Sequence, residues 1–133
     1  MSVKIAREYF ERSDNPESTA ADIAALFSED AELYSPREGI FRGRDEVETF
    51  YDLNTEFFEA GEHNMDSFYE DGNVVVCEGT INGRTTAGRE YEGVGLVDVM
   101  EFNDDDEISA LRVYLDYSAI LTEVPEEVPD FRE

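Results

Sequence analysis

LVDVMEFNDDDEISALRVYLDY, residues 96–117, reads as two strands around a reversal. Successive side chains of a strand point to opposite sides, so Leu96, Asp98, Met100 and Phe102 share one face while Val97, Val99 and Glu101 share the other. In the second half Leu111, Val113 and Leu115 share a face, and Arg112, Tyr114 and Asp116 take the opposite one. Asn103-Asp104-Asp105-Asp106 supplies turn residues between them, which predicts an antiparallel pair. An acid, Asp98, thus stands in the middle of an otherwise apolar face.

Upstream of this unit, further strands are expected at about His63 to Tyr69, Asn73 to Ile81 and Tyr91 onward, with reversals at Asp71-Gly72 and Asn82-Gly83. The spacing of Val47, Phe50, Tyr51, Phe57 and Phe58 predicts a long helix from Gly43-Arg44-Asp45 to about Ala60, capped by Asp45 and stopped by Gly61. Ile40-Phe41 is a brief extended piece, and Ala31 to Ser35 alternates until Pro36 stops it. A short helix is expected from Thr19 to Phe27, and a first helix from about Val3 to Ser13, with Ile5, Ala6, Tyr9 and Phe10 on its apolar stripe. The order helix, helix, short strand, long helix and then four antiparallel strands suits an α+β architecture: a strongly bent sheet, closed by helices on its concave face, that encloses a pocket. Residues 1–121 are expected to form this domain and residues 122–133, TEVPEEVPDFRE, an acidic C-terminal arm.

Composition narrows the function classes. With 34 acidic against 10 basic residues the net charge is -24, the wrong sign for a nucleic-acid partner. The carboxylates are spread through segments that also carry apolar periodicity, which argues against a disordered acidic tail. They fit a halophilic surface, where concentrated salt screens their repulsion. No run of about 18 apolar residues is present, and the charged start MSVKIAREYF does not resemble a secretion signal, so a cytoplasmic protein with no membrane partner is expected. The single cysteine, Cys77, cannot form an internal disulfide, and no spacing suggests a metal site.

Three stretches in order, DIAALFSEDAELYSP (residues 22–36), FRGRDEVETFY (residues 41–51) and residues 96–117, resemble the SnoaL-like branch of the NTF2-like superfamily, over about residues 5 to 120. This resemblance implies the cone-shaped fold of ketosteroid isomerase, a small-molecule pocket and no metal or organic cofactor. It also places Asp98 where the steroid-isomerase relatives keep a hydrogen-bond-donating aspartic acid, and Tyr9 where they point a tyrosine into the cavity. Two such donors form an oxyanion hole. The base of those isomerases, an aspartate before a proline, is Ser35-Pro36 here, and a serine hydroxyl does not replace a carboxylate. The acid that epoxide-hydrolase relatives keep on the last strand corresponds to Val113.

The residues leave alternatives open. Asp98 is either a desolvated acid in the pocket or a structural carboxylate satisfied by nearby donors, and Tyr9 is either a pocket donor or a core aromatic with its hydroxyl at the surface. His63, the only histidine, is either a substitute base at the mouth of the cone or a solvated strand-end residue. The pocket lining is expected to include Ser35, Phe50, Phe57, Val75, Cys77, Met100, Leu111 and Val113. Arg112, Tyr114 and Asp116, on the outer sheet face, suit a homodimer interface. Three functions follow: an isomerase or cyclase acting on a small apolar carbonyl or phenolic ligand, a binding domain without catalysis, or an assembly module working through the outer sheet. The charge makes a prediction independent of these. The melting temperature should rise between about 0.1 and 2 M KCl, and an unchanged value would remove the halophilic reading.

Overall fold

The chain runs α1 (Ser2–Asp14), α2 (Ala20–Ala24), β1 (Phe27–Ser35), β2 (Gly39–Arg42), α3 (Arg44–Phe57), β3 (Phe58–Asp71), β4 (Val74–Thr85), β5 (Glu90–Phe102) and β6 (Ile108–Leu115), followed by a single 3-10 turn at Tyr117–Ala119. This computed structural model describes residues 2–120; the expected arm at 122–133 lies outside the described residues. One six-stranded sheet carries the order β2-β1-β6-β5-β4-β3. Every neighbouring pair is antiparallel except β1 and β6, which are parallel. The result is the α+β, cone-shaped NTF2-like architecture, three helices on a strongly curled mixed sheet.

Several boundaries differ from the sequence expectation, each for a local reason. A capping box closes α2 at its start: Thr19 accepts from the Asp22 amide and Asp22 accepts from the Thr19 amide. The helix then ends at Ala24, and Phe27 opens β1 instead of closing the helix, its carbonyl held by Arg44 Nη2 at 2.8 Å and Nε at 3.0 Å. Asp45 does not cap α3. Gly43, at φ 86°, occupies the cap without a side-chain bond, and Glu46 reaches back to the Arg42 amide at 2.9 Å. The helix stops at Phe57 because Phe58 to Gly61 pair with Thr85 to Gly83, so Gly61 is a strand residue, not a helix stop. Asn82-Gly83 is likewise inside β4; the Asn82 side chain accepts from Gly93 N at 2.8 Å, and the chain reverses later, around Gly88 at φ 89°. Finally, β6 ends at Leu115, which frees Tyr117 to turn off the sheet.

The alternation of β5 holds from Leu96 to Phe102, with Leu96, Asp98, Met100 and Phe102 buried and Val97, Val99 and Glu101 partly exposed. It breaks at Gly93, whose φ of 65° is a left-handed conformation costly for any side chain, and Tyr91 returns to the inner side. Buried residues form a large cluster, which includes Phe27, Leu33, Val75, Met100 and Leu111, and a smaller one of Ile81, Tyr91, Val94, Leu96 and Ile120. On the outer face Arg112 Nη1 binds Glu101 Oε2 at 2.5 Å and the Tyr34 and Tyr114 rings lie 6.1 Å apart.

A register shift between Met65 and Ser67 presses β3 against β4 at Gly79, where an added Cβ would come within 2.2 Å of Asn64 O and 2.6 Å of Met65 Cα. Both obstacles are backbone and cannot swing away. Gly79→Ala should therefore cost at least about 1–3 kcal/mol in denaturant melts, while Gly95→Ala, with nothing within 4 Å of its Cβ, serves as the tolerant control.

Candidate active site

A cavity of about 700 Å³ lies between the helices and the sheet and is lined by members of both buried clusters. Its walls are aromatic, with Tyr9 from α1, Phe50 and Tyr51 from α3, Phe58 at the start of β3, Tyr91 from β5 and Tyr117 from the terminal turn. Asp98 is on the wall, 2% exposed, and its Oδ1 has no hydrogen-bond partner. Burial pushes this carboxyl up to about 7, with His63 acting against the shift. Desolvation penalises the anion, so near neutrality Asp98 is poised between donor and base.

The Tyr9 hydroxyl meets the Tyr51 hydroxyl at 2.6 Å. The Phe27 ring packs against both tyrosines, at 6.2 Å and 6.1 Å, and fixes their tilt. Burial, chiefly, and then neighbouring groups that include Asp98 hold both phenols well above the usual tyrosine range, so both remain neutral. In such a pair one phenol donates to the other, and the acceptor keeps its own proton for a further partner.

His63 is not at a strand end but well inside β3, and it lines the same cavity. Asp14, the last residue of α1, grips it twice: Oδ2 accepts from the His63 amide at 2.9 Å and Oδ1 lies 2.5 Å from Nδ1. A carboxylate only accepts, so Nδ1 carries a proton in this contact, which leaves Nε2 as the ring nitrogen turned away from Asp14. The two contacts together fix the orientation of the imidazole.

Phe50 and Val113 of the expected lining residues face the cavity. Val75, Cys77, Met100 and Leu111 are fully buried but belong to the packed cluster, not the cavity wall. Alternation assigns a residue to the inner face and is silent on depth along the strand, and the closed end of the cone is filled. Burial, with Asp98 adding, pushes the Cys77 thiol up to about 12, so it is unreactive. Phe57 is 45% exposed beneath the Arg37 guanidinium, because the helix ends there and the strand turns Phe58 inward instead. Ser35 is buried without lining the cavity; it donates to Glu38 and lies 2.9 Å from the Tyr117 hydroxyl, which does line it. Tyr51 was legible as a polar-tipped residue on the apolar stripe of α3, whereas Asp14 and Tyr117 gave no signal, since both enter through the packing of chain ends against the sheet. Among the described residues no cluster of three or more His, Cys, Asp or Glu side chains could hold a metal ion, and no helix is long and apolar enough to cross a membrane.

A curled sheet closed by three helices around such a pocket defines the NTF2-like, ketosteroid isomerase-like class of fold. The chain belongs to the SnoaL-like domain family, whose model matches residues 6–111. It is similar to a protein of ketosteroid isomerase-like fold from Catenulispora acidiphila, solved with trimethylamine, at TM-score 0.80 and 16% identity over 89% of each chain. A putative SnoaL-like polyketide cyclase from Shewanella denitrificans is similar at TM-score 0.75 and 14% identity, over 89% of this chain and 92% of that one. TerC, co-crystallised with polyporic acid, is similar at 0.76 and 16%, over 89% and 93%. At these identities the likeness is one of fold. No curated protein matches the chain.

Asp98 links this site to stability. In the unfolded chain it loses its proton near pH 4, in the folded one near 7, so between these values the folded state holds the extra proton. The contribution of Asp98 is therefore complete below about pH 4 and is lost as pH rises through about 7. Urea melts should show wild type losing stability relative to Asp98→Asn between about pH 4.5 and pH 8, by up to about 4 kcal/mol, and parallel pH profiles would mean an unshifted Asp98.

Proposed function

We propose that this protein is a cofactor-independent proton-transfer enzyme of the isomerase or cyclase kind, acting on a small apolar molecule with a carbonyl or phenolic oxygen. One observation carries the reading: a fully buried carboxyl with an unpartnered oxygen on the wall of an aromatic cavity. The protonated Asp98 and the free phenolic proton of the Tyr9–Tyr51 pair are donors for negative charge developing on a substrate oxygen, and in a site shielded from water such donors act strongly. His63, oriented by Asp14, is the group suited to take the proton from carbon, the role that Ser35 leaves vacant. The small molecules bound by the Catenulispora protein and by TerC support a ligand pocket in this fold.

A second reading, binding without turnover, is favoured by the absence of a carboxylate at Ser35. A phenol probe tests the shared part. It should bind, Asp98→Asn should retain most of the affinity, and Asp98→Leu should lose at least about 1 kcal/mol with the donor. Deuterium exchange alpha to the carbonyl of a bound ketone separates the two readings: exchange abolished by His63→Ala supports the enzyme, and binding without exchange leaves the binding protein.

A further inference from the structure

A chain of hydrogen bonds leads from the cavity wall to the surface, and its direction is fixed. Ser35 ends β1, and the tight connection to β2, in which Ser35 pairs with Gly39, folds Glu38 back over it. The Ser35 hydroxyl donates to Glu38 Oε2, while Glu38 Oε1 lies 3.3 Å from Arg37 Nη1. A carboxylate only accepts and a serine hydroxyl has a single proton, so Ser35 has only lone pairs left for its second contact. That contact is the Tyr117 hydroxyl at 2.9 Å, and Tyr117 is therefore the donor. Both protons of the chain point outward, through a fully buried serine, to a carboxylate whose side chain is 25% exposed. Tyr117 alone of the three lines the cavity, and its hydroxyl stands close enough to Asp98 and Tyr51 for their charges to act on it. No described residue donates to the Tyr117 oxygen.

We infer that Tyr117 is a hydrogen-bond acceptor of the pocket, held in that role by Ser35 and Glu38, and that the ligand carries a hydroxyl group whose proton it receives. The inference rests on the proposed function for the ligand's other oxygen, the one facing Asp98 and the Tyr9–Tyr51 pair. With donors at that point of the wall and an acceptor at Tyr117, the molecule that fits is a hydroxy-carbonyl compound and not a simple ketone. Each bond in such a chain polarises the next, so a Tyr117 oxygen whose proton lies on Ser35 accepts more strongly. A ligand atom able only to accept meets lone pair with lone pair there and loses its hydration without replacement. Ser35 and Glu38 are positioning residues, since neither lines the cavity.

Acetophenones carrying a meta or para hydroxy, fluoro or methoxy group supply the test, titrated calorimetrically against the whole chain at a pH where the phenols stay neutral. Hydroxyl and fluorine are close in size, and only the hydroxyl has a proton to give. At least one hydroxy isomer should bind at least about threefold tighter than its fluoro counterpart, the size of one hydrogen bond, and Tyr117→Phe should abolish the difference. Ser35→Ala frees the Tyr117 proton to turn toward the ligand, so the methoxy compound, which only accepts, should gain on the hydroxy compound by at least about threefold. A merely structural serine would weaken both alike, and that result overturns the role given to Ser35 and Glu38. Equal binding of hydroxy and fluoro compounds, or a hydroxyl preference that persists in Tyr117→Phe, overturns the inference while leaving the carbonyl site standing. If none of the compounds binds, the carbonyl or phenol reading fails first and this inference with it.

Discussion

Removing a carboxyl group from water without giving it a partner is one of the more expensive things a fold does, and most chains avoid it by pairing or exposure. Here the inner face of β5 continues apolar on both sides of Asp98, from Leu96 to Met100, so the strand cannot expose the acid without exposing its neighbours. Burial disfavours its charge, and the same desolvation sets the chemistry of the site. The tyrosine pair stays neutral for the same reason, being carried in by α1 and α3 to a region where an anion is disfavoured.

The sheet makes room for this arrangement by bending. Gly93 reverses the alternation of β5, and the close approach at Gly79 accommodates a bulge in β3. One end of the cone is filled by Phe27, Val75, Met100 and Leu111 and the other is hollow. A regular sheet of the same residues would bury its inner face uniformly. The parallel pairing of β1 with β6 brings the ends of both strands to one place, where Ser35 meets Tyr117 and connects the cavity wall to Glu38.

The titratable groups of the cavity differ in exposure. Asp98 is sealed, whereas the His63 and Asp14 side chains are each about a quarter exposed. Asp98, whose carboxyl burial pushes up to about 7, and His63, held by Asp14, line the same cavity.

Periodicity alone determined the helices' apolar faces, the strands around residues 96–117 and the presence of an acid on an inner face, because period and turn chemistry are local properties of the chain. The family, too, was legible, in three stretches that pattern α2 with β1, the start of α3 and the last hairpin. Tertiary structure decided what lies at which depth: Met100 and Asp98 share a face two residues apart, yet one fills the core and the other meets the cavity. It also decided the partners. Tyr9 sits 42 positions from Tyr51, and Asp14 sits 49 from His63, so each contact exists only after helices dock on a finished sheet. No local pattern encodes such a pairing, since its energy depends on the burial that docking creates.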